Sequence, residues 1–490
     1  MSRTIHLSNG IIITNPVSGA FCSSLTITDG IVTAHDSTLP DNAESIDLQH
    51  CVAVPGFIDS HLHLVLGATG LGDVNLNICH SKQSFQEALL QAAHSLPESQ
   101  WLIGSGWSQQ RLGEMPNITW FANNEEVPII CYSSDLHCAV LNKNLLRHLD
   151  IKLLQEMPGG QRIEQGIAME DALFEGVLPV LPEIPTEVKI DRTAKAMHAL
   201  HSKGITLVGT MEHKNEIDTV LVPLQSSELV RVRIICLDEP TVEMIEACNQ
   251  VKQNEFLQIT GFKTFVDGSF GSRTAKMYSG WLDTDGDGVW AGHAAKDTLE
   301  QWVTTVSRAG YAPVLHAIGD AAVGRALKAL DSVSTAVVSR IEHAQCIAEC
   351  DFSSLSGKWF GVQPLHQPDD AAIAIQALGV KQIGELHNWR KMIDFGGLLS
   401  FGSDWPVVPF DPIDTMSIAI ERGLSPQEAF VSSTTLAAQS LRTQDAGHLR
   451  IGAYGDIVVL DTNPLDCDWK DDIPSVTMTL QAGRTVYKKE

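Results

Sequence analysis

The sequence has 490 residues, of which 44% are hydrophobic and 19% are charged, a balance typical of globular proteins with a substantial core. This hydrophobic fraction excludes a fully disordered chain, because disordered chains combine a high net charge with low hydrophobicity. The 34 Lys and Arg residues against 59 Asp and Glu residues give a net charge of −25, which argues against a nucleic-acid partner because binding its backbone requires clustered Lys and Arg.

The two ends of the chain carry similar β-strand patterns. Residues 4–55 contain short apolar runs separated by turn signals, with Asp29-Gly30 as a hairpin turn, and residues 447–490 repeat this style in GDIVVLD, SVTMTL and GRTVYKK. We predict that residues 1–55 and 440–490 pair into one small composite β-sandwich domain. Two independent edge hairpins are the alternative, although hairpins alone are only marginally stable.

Residues 56–439 alternate between strand-like and helix-like stretches, which predicts an α/β fold, a distorted TIM (β/α)8 barrel. The strand-like runs are GFIDSHL, GITLVGTM, VRVRIICL, ITGFKTFVDG, YAPVLHA, SRIEHAQ, WFGVQPLH and LLSFGSDW. The long interval between the first run, which ends at 62, and the second, which begins at 204, breaks this rhythm. We therefore predict a large insertion after strand 1, at approximately 68–185.

Residues that can bind metal occur where these predicted strands end, which is the end of a barrel that carries chemistry. The first run ends in His61-Leu62-His63. Alternate residues of a strand share a face, so both imidazoles can point at one metal ion. Further residues of this kind lie at or just past the ends of later runs: Lys263, His316, His343 and Asp404. Any one histidine is a weak signal, but the coincidence predicts a site.

Several stretches together resemble the amidohydrolase superfamily, and within it the amidohydrolase-3 (YtcJ-like) branch that includes N-substituted formamide deformylases. These stretches are PGFIDSHLHL, GFKTFVDGSFGSRTA, HAIGDAAV, RIEHAQ, FGSDWPV and GHLRIGAYGDIVVLD. They run in order over essentially the whole chain. The resemblance implies a metal-bearing distorted barrel and a β-sandwich built from both termini, in agreement with the strand patterns.

The resemblance also implies a ligand set and a reaction. The metal ligands would be His61, His63, Lys263, His316, His343 and Asp404. Asp404 would also move a proton while metal-activated hydroxide cleaves a C–N bond of an amide, formamide or cyclic amide in a small molecule. Because the ligand set is rich in nitrogen, we expect one or two zinc ions rather than magnesium or calcium.

Lys263 needs an explanation, because a protonated lysine that points at metal ions would be repelled by them. It can point away and pair with a carboxylate such as Asp267, which leaves a site for one metal. Alternatively, desolvation beside Phe262 and Phe265 favours its neutral amine, which can capture carbon dioxide and become a bridging carbamate. The resemblance favours the carboxylated lysine.

Two positions depart from the pattern of the family. Its usual Asp-Gly-His in the insertion is replaced by Asp135-Leu136-His137, and strand 2 ends in Glu212 where the family tends to have Asp. We expect substrate contacts from residues near the predicted pocket: Trp107, His137, Arg273, Asp320, Gln363 and His366. The acidic run that begins at Asp283 resembles the start of an EF-hand loop, but Ala294 stands where the last ligand would be Glu.

Two other functions stay open. A catalytically inactive amidohydrolase-like scaffold or regulatory protein is one, although every ligand position is filled. A hydrolase of an ester or lactone is the other, because metal hydroxide attacks these too. We expect a small-molecule substrate and no nucleic-acid or membrane partner, and we leave a homodimer open. The scattered cysteines and the lack of an apolar segment in MSRTIHLSNG indicate a cytoplasmic protein.

Overall fold

The computed structural model describes residues 3–93, 101–121, 126–134, 136–227, 229–332, 337–379, 384 and 386–489. Two compact units make up the chain. We call Met1–Ala68 with Lys189–Glu490 the barrel unit, and Thr69–Val188 the insertion unit. Asp135, part of the insertion motif considered above, lies outside the described residues.

The strands of the described residues are as follows in chain order. They are β1 (Thr4–Ser8), β2 (Ile11–Asn15), β3 (Ala20–Cys22), β4 (Leu25–Thr28), β5 (Ile31–His35), β6 (Glu44–Asp47), β7 (Val52–Pro55), β8 (Phe57–Leu62), β9 (Val74–Asn75), β10 (Leu102–Trp107), β11 (Ile129–Ser133), β12 (Cys138–Leu141), β13 (Ile167–Met169), β14 (Ile205–Glu212), β15 (Arg231–Cys236), β16 (Leu257–Phe265), β17 (Ala312–Ala317), β18 (Arg340–His343), β19 (Trp359–Val362), β20 (Leu398–Phe401), β21 (Ile457–Leu460), β22 (Val476–Gln481) and β23 (Arg484–Lys488).

The α-helices of the same residues are α1 (Leu64–Thr69), α2 (Lys82–Ala93), α3 (Gln109–Leu112), α4 (Lys143–Leu146), α5 (Ile151–Glu156), α6 (Thr186–Ser202), α7 (Lys214–Glu216), α8 (Val222–Leu224), α9 (Val242–Gln250), α10 (Gly292–Ala295), α11 (Leu299–Arg308), α12 (Asp320–Asp331), α13 (Gln367–Leu378), α14 (Trp389–Asp394), α15 (Pro412–Glu421), α16 (Pro426–Ser432) and α17 (Thr435–Ser440). A 3₁₀ turn, Pro364–His366, leads directly into α13.

An eight-stranded parallel sheet forms the centre of the barrel unit and confirms the predicted barrel. Its order is β8, β14, β15, β16, β17, β18, β19 and β20, with every neighbouring pair parallel. Strands buried on both faces read as continuous apolar runs rather than alternating ones, and β14 and β15 are buried at every position. Parallel pairing places the carboxyl ends of all eight strands at one edge.

The first and last strands of the sheet meet just beyond their ends. The backbone N–H of Asp404 donates to the carbonyl of His61 at 2.7 Å, and the N–H of His63 donates to the carbonyl of Trp405 at 2.8 Å. The chains approach so closely that a Cβ on Gly402 would lie 2.6 Å from the backbone nitrogen of His61. Only glycine fits there, so this closure depends on Gly402.

Several strands, among them β19 and β20, end earlier than their apolar runs in the sequence suggest. β19 ends at Val362 because Pro364, which has no N–H to donate to a ladder, begins the 3₁₀ turn. The backbone also turns sharply where β18 ends and after β20, since His343 and Asp404 have positive φ angles of 73° and 59°. The last residues of the β19 and β20 runs, including His366 and Asp404, therefore lie beyond the strands, at the edge of the barrel.

Strands from both ends of the chain share one sheet. Its order is β23-β22-β21-β7-β2-β3, with β21 antiparallel to β7, and a second sheet has the order β5-β4-β1-β6. Asp29 and Gly30, both with positive φ, form the predicted hairpin turn between β4 and β5. Side chains of the two sheets, among them Ile5, Leu25 and Val459, share one apolar core.

The helices of the barrel unit pack through regularly spaced apolar residues. In α11, Leu299, Trp302, Val303 and Val306 are buried, a spacing that places all four on one helical face. No helix among the described residues is both long enough and apolar enough to span a membrane.

The insertion unit has its own mixed sheet, with the order β13-β12-β11-β10-β9. β10 is parallel to β9 and β11, and β12 is antiparallel to β11 and β13. Its core contains Trp107 and Trp120, which are buried with Phe85 and Ile129. This unit therefore has a hydrophobic core of its own.

Candidate metal centre

His61, His63 and Asp404 converge where β8 ends and where the chain leaves β20. The Oδ1 atom of Asp404 lies 3.2 Å from Nε2 of His61 and 3.4 Å from Nε2 of His63. One ligand atom from each residue lies within 4.8 Å of the others. Two ligands of one zinc ion are at most about 4.4 Å apart, since each lies about 2.0–2.2 Å from it. The three side chains are therefore close to a binding geometry for one ion.

Glu342 orients the ring of His61. Its Oε2 lies 2.5 Å from Nδ1 of His61, and its Oε1 accepts hydrogen bonds from the guanidinium of Arg340. A carboxylate that accepts from Nδ1–H leaves the lone pair of the ring on Nε2, the arrangement found in metal-binding histidines. Burial raises the pKa of Glu342, but the charges of Arg340 and His61 outweigh it and lower this pKa to about 2, so the carboxylate stays ionised.

The sequence interpretation missed Glu342 and Arg340. They are alternate residues of β18, so they share one face of a strand that is buried at every position. Two opposite charges at that spacing within a predicted barrel strand were the available signal. The contact between Glu342 and His61 could not be predicted from this pattern, because the two residues come together only when the barrel closes.

A second group of metal-binding type consists of His343, His366 and Asp404, again with ligand atoms within 4.8 Å of one another. It shares Asp404 with the first group, and the rings of His61 and His343 are 5.0 Å apart between centroids. The sequence interpretation treated His366 as a substrate contact. The structure places its ring against that of His343, with the planes 21° apart.

The polar atoms of this second group suit a metal ion. Within the described residues, the buried Nε2 atoms of His343 and His366 have no hydrogen-bond partner. A buried polar atom without a partner costs free energy, so such atoms in a folded protein call for a ligand or a water. Imidazole nitrogens and a carboxylate are donors that zinc and similar divalent ions accept. The residues present therefore fit the metal that the sequence predicts.

Electrostatics keep Asp404 ionised. Its pKa is held well below its usual range because the nearby His61 and His63 imidazoles outweigh the opposing effect of burial. Burial and Lys263 act to lower the pKa of His61, but the carboxylates of Glu342 and Asp404 raise it overall. His61 is thus held between two carboxylates that favour its charged form.

Lys263 lies inside the barrel beside the first group. Its Nζ is 3.2 Å from Nε2 of His61 and 5.1 Å from the centre of the Phe265 ring. Burial is the main cause that lowers its pKa, although Asp404 and Glu342 oppose it. Asp267, the carboxylate considered for an alternative pair, accepts backbone N–H groups of Ile318, Gly319 and Lys276.

His316 stands next to the second group but is not a member of it. Its ring centroid is 4.4 Å from that of His343, and its Nε2 lies 3.1 Å from the carbonyl oxygen of Gly268. That nitrogen also lies 3.9 Å from Oδ1 of Asp267. A carbonyl oxygen can only accept, so Nε2 of His316 carries a proton and donates to it.

Two further buried carboxylates support the loops of the site. Glu212, at the end of β14, accepts the N–H of Val65 at 2.9 Å and the hydroxyl of Thr210 at 2.6 Å. Asp59 accepts the N–H groups of His61 and Ser403. Burial raises the pKa of Glu212 to about 7 and that of Asp59 to about 6. Both carboxylates fix the backbone next to residues of the first group.

Two of the remaining predicted substrate contacts belong to the insertion unit. Trp107 is buried in its core, and its indole N–H donates to the carbonyl of Cys131 at 2.8 Å. His137 pairs with Glu170, with Nδ1 of the histidine 3.1 Å from Oε2 of the glutamate. Both side chains thus have partners within that unit.

The others lie in the barrel unit and belong to neither group, although Gln363 contacts a member of the second one. The guanidinium of Arg273 binds the carboxylate of Asp283 through two nitrogens, at distances of 2.8–3.1 Å. The acidic run that resembles an EF-hand thus supplies an ion-pair partner. Asp320 begins α12 and accepts the N–H of Tyr278. Gln363, in contrast, contacts His343 directly, with 2.9 Å between Oε1 and Nδ1.

Comparison with known proteins gives matches over almost the full chain. The model of the amidohydrolase family matches residues 44–487. Three curated relatives are the Protein LONG AFTER FAR-RED 3 of Arabidopsis thaliana, the putative amidohydrolase YtcJ of Bacillus subtilis and the N-substituted formamide deformylase of Arthrobacter pascens. They are 28%, 24% and 23% identical, over 98%, 91% and 87% of this chain and 91%, 91% and 86% of their own lengths.

A solved structure shares the fold. An uncharacterized metal-dependent hydrolase from Pyrococcus horikoshii superimposes with a TM-score of 0.80 and 24% identity, over 96% of this chain and 99% of that one.

Proposed function

This chain belongs to the amidohydrolase family, as its motifs indicated, and we propose that it is a zinc-dependent hydrolase of a C–N bond in a small amide, formamide or cyclic amide. One observation carries the proposal. His61, His63 and Asp404 converge with His343 and His366 at the carboxyl ends of the barrel strands, the edge at which barrel enzymes perform chemistry. Filled ligand positions argue against an inactive scaffold.

The residues of the centre suit hydrolysis. His61 and His63 would hold an ion together with Asp404, and such an ion supplies hydroxide near neutral pH and polarises the substrate carbonyl. Glu342 keeps Nε2 of His61 available by accepting from its Nδ1–H at 2.5 Å. Glu212 and Asp59 hold the backbone on either side of these histidines, so the imidazoles have little freedom to leave the centre.

Asp404 would transfer the proton. Because its carboxylate is ionised, it can accept a proton from the attacking water, and its protonated form can then donate that proton. An amine leaves poorly unless it is protonated, so delivery of this proton to the nitrogen of the substrate matters most for amides. This requirement is the reason for preferring a C–N bond over an ester.

Lys263 would act as a carbamate that bridges two ions. Burial lowers the pKa of this lysine, which favours the neutral amine that reacts with carbon dioxide. Its position 3.2 Å from Nε2 of His61 places Nζ at the first group of ligands. Lys263→Ala should lose most activity and regain part of it with added short carboxylates, and mass spectrometry under native conditions should detect carboxylation.

The experiment for the proposed function is a substrate screen on purified protein. Protein loaded with zinc should hydrolyse at least one member of a panel of N-formyl and N-acyl amines and cyclic amides, and chelation should abolish the activity while zinc restores it. Matched esters and lactones serve as the second arm. Hydrolysis confined to that arm would reject the C–N assignment, and no turnover on either arm with zinc bound would reject the hydrolase.

A further inference from the structure

Cys236 and Cys248 form a pair of buried thiols in the barrel unit, and we propose that they are a modification site at which a peroxide converts the two thiols into a reversible disulfide bond. Cys236 is the last residue of β15, and Cys248 lies in α9, the helix that follows this strand. Neither cysteine belongs to the two groups of metal-binding type. The inference therefore goes beyond the proposed hydrolase and does not depend on it.

The two thiols contact each other. A hydrogen bond joins the side chains of Cys236 and Cys248, and both cysteines are fully buried in the same apolar cluster. A disulfide forms only between sulfur atoms that the backbone already holds close together, and this pair meets that requirement. The cysteines are twelve positions apart in the sequence, so the bond would tie α9 to the strand that precedes it.

Their surroundings make the two thiols unequal. The hydrogen bond from Cys236 lowers the pKa of Cys248, and the charge of Lys214 acts in the same direction, against the effect of burial. The same hydrogen bond and burial raise the pKa of Cys236, whose sulfur lies 3.7 Å from Oδ2 of Asp238. Because the thiolate is the nucleophile, Cys248 is the residue that attacks the oxidant. Cys236 stays protonated and is the residue that closes the disulfide.

The helix that carries Cys248 is weakly anchored. Of the nine residues of α9, only Cys248 is buried. The hydroxyl of Tyr311 donates to Oδ1 of Asn249 at 2.7 Å and so holds the last turn of the helix. An element with few buried side chains opens locally at a lower free-energy cost than the core of the protein. Opening of α9 therefore gives a small oxidant access to a thiol that the closed protein hides.

The reaction balances with one molecule of hydrogen peroxide. The thiolate of Cys248 attacks a peroxide oxygen and the O–O bond breaks, which gives a sulfenic acid on Cys248 and a hydroxide that takes up the proton lost from this thiol. The sulfur of Cys236 then attacks the sulfenic sulfur. The S–O bond breaks as the S–S bond forms, and the departing hydroxide leaves as water with the proton of Cys236. The two thiols lose two electrons, and the peroxide is reduced to two waters.

The test follows both thiols in one peptide. Full-length protein is treated with hydrogen peroxide and denatured with N-ethylmaleimide, which labels every remaining thiol. Trypsin cleaves after Arg233 and Lys252, so residues 234–252 form one peptide that contains both cysteines. We expect this peptide to lose both labels together and to be lighter by two hydrogen atoms than the unlabelled dithiol. Dithiothreitol should restore both labels.

Variants separate the roles of the two thiols and of the helix. In Cys236→Ser, the sulfenic acid of Cys248 cannot be resolved and should be captured by dimedone, whereas Cys236 in Cys248→Ser should keep its label. Tyr311→Phe removes the hydrogen bond to the last turn of α9 and should speed disulfide formation about 5-fold, the change in the opening equilibrium expected from one hydrogen bond. Tyr278→Phe, at an exposed tyrosine, is the matched control and should leave the rate unchanged.

Several results would overturn the inference. A peptide that keeps both labels while the exposed Cys350 is oxidised would do so. Oxidation of Cys22, which is buried in the core of the two terminal sheets, at the same rate as the pair would show that global unfolding exposes the thiols. An unchanged rate in Tyr311→Phe would overturn access through α9. If a serine variant does not fold, the paired loss of labels in the wild type still decides.

Discussion

The buried polar groups of Arg231, at the start of a barrel strand, and of His343 and His366, near the strand ends, differ in whether they have a hydrogen-bond partner. Arg231, the first residue of β15, is fully buried, with its Nε 2.6 Å from the Asp456 carboxylate and its guanidinium 3.7 Å from the centre of the Tyr454 ring. At the other end, buried nitrogens of His343 and His366 have no partner within the described residues. Buried polar groups with hydrogen-bond partners stabilise the fold. Buried polar groups without partners cost free energy, and we interpret those of the two histidines as retained for a ligand.

This contrast separates residues that keep the barrel folded from residues that serve the reaction. In barrels generally, the carboxyl ends of the strands carry function and the amino ends carry stability. Here Arg231 at the start of β15 and the two histidines near the strand ends follow this division. It predicts that substitutions at the strand starts change the free energy of unfolding, and that substitutions at the strand ends change metal binding and turnover.

Asp404→Asn should have the largest effect. Asn can remain in place but cannot accept and return a proton, so kcat should fall by at least ~100-fold, while most of the bound metal is retained. Steady-state kinetics with elemental analysis of the same sample measure both. Asp331→Asn, at an exposed carboxylate of α12, is the matched control and should leave kcat unchanged. A metal-replete Asp404→Asn enzyme with near-normal kcat would contradict the assignment.

Arg231→Met tests the strand starts. It leaves the buried carboxylate of Asp456 without its partner, which should lower the free energy of unfolding by about 3–5 kcal/mol, while kcat of the folded enzyme stays the same. Urea denaturation measures the loss. Lys203→Met breaks a more exposed pair with Asp411 and should cost no more than about 1 kcal/mol. Equal losses of unfolding free energy in Arg231→Met and Lys203→Met would contradict the special role of the buried pair at the strand start.

Glu212 sharpens the comparison between the two ends of the strands. It lies at a strand end, but its carboxyl group has two hydrogen-bond donors, the N–H of Val65 and the hydroxyl of Thr210. Its folded pKa of about 7 is above the ordinary value of 4.5, so the fold favours the protonated form. Its contribution to stability is full below pH ~4.5 and is lost as pH rises through ~7. In metal-free protein, Glu212→Gln should reduce the fall in unfolding free energy between pH 5 and pH 8 by about 2–3 kcal/mol. If the unfolding free energies of the wild type and of Glu212→Gln change with pH in parallel, Glu212 does not titrate in this way.

Gln363→Leu should have the smallest effect, on metal affinity. It removes the acceptor for Nδ1–H of His343, and loss of such an orienting partner typically weakens metal binding by about 10–100-fold. Gln363→Glu retains an acceptor oxygen and should stay closer to the wild type. Competition with a coloured chelator measures both variants. Identical affinities in Leu and Glu would mean that the side chain does not orient the histidine.

The barrel was predictable from the sequence because its strands are buried on both faces, and so appear as separate apolar runs. The family was predictable because its motifs occur in order at the ends of those runs. His61-Leu62-His63 is an example, since two histidines at alternate positions on a strand share a face regardless of the rest of the fold. Local periodicity was sufficient for these features.

The partners of the site residues could not be predicted in the same way. Glu342 contacts His61 across the closed sheet, and the role of His366 depends on a 3₁₀ turn that Pro364 begins within what looked like a strand. Trp107 and Arg273 looked available for substrate but have partners of their own. Side-chain direction in a loop depends on backbone angles and tertiary contacts, which short-range patterns do not encode.

The closure of the barrel also has a consequence for synthesis on the ribosome. His61 and His63 are made early, whereas Asp404, whose N–H pairs with the carbonyl of His61, is made more than three hundred residues later. A nascent chain that ends before Gly402 therefore contains the histidine pair without the carboxylate or the backbone bonds that join the first strand to the last. Catalytic competence should thus appear only when the barrel is complete, so truncated products would be inactive.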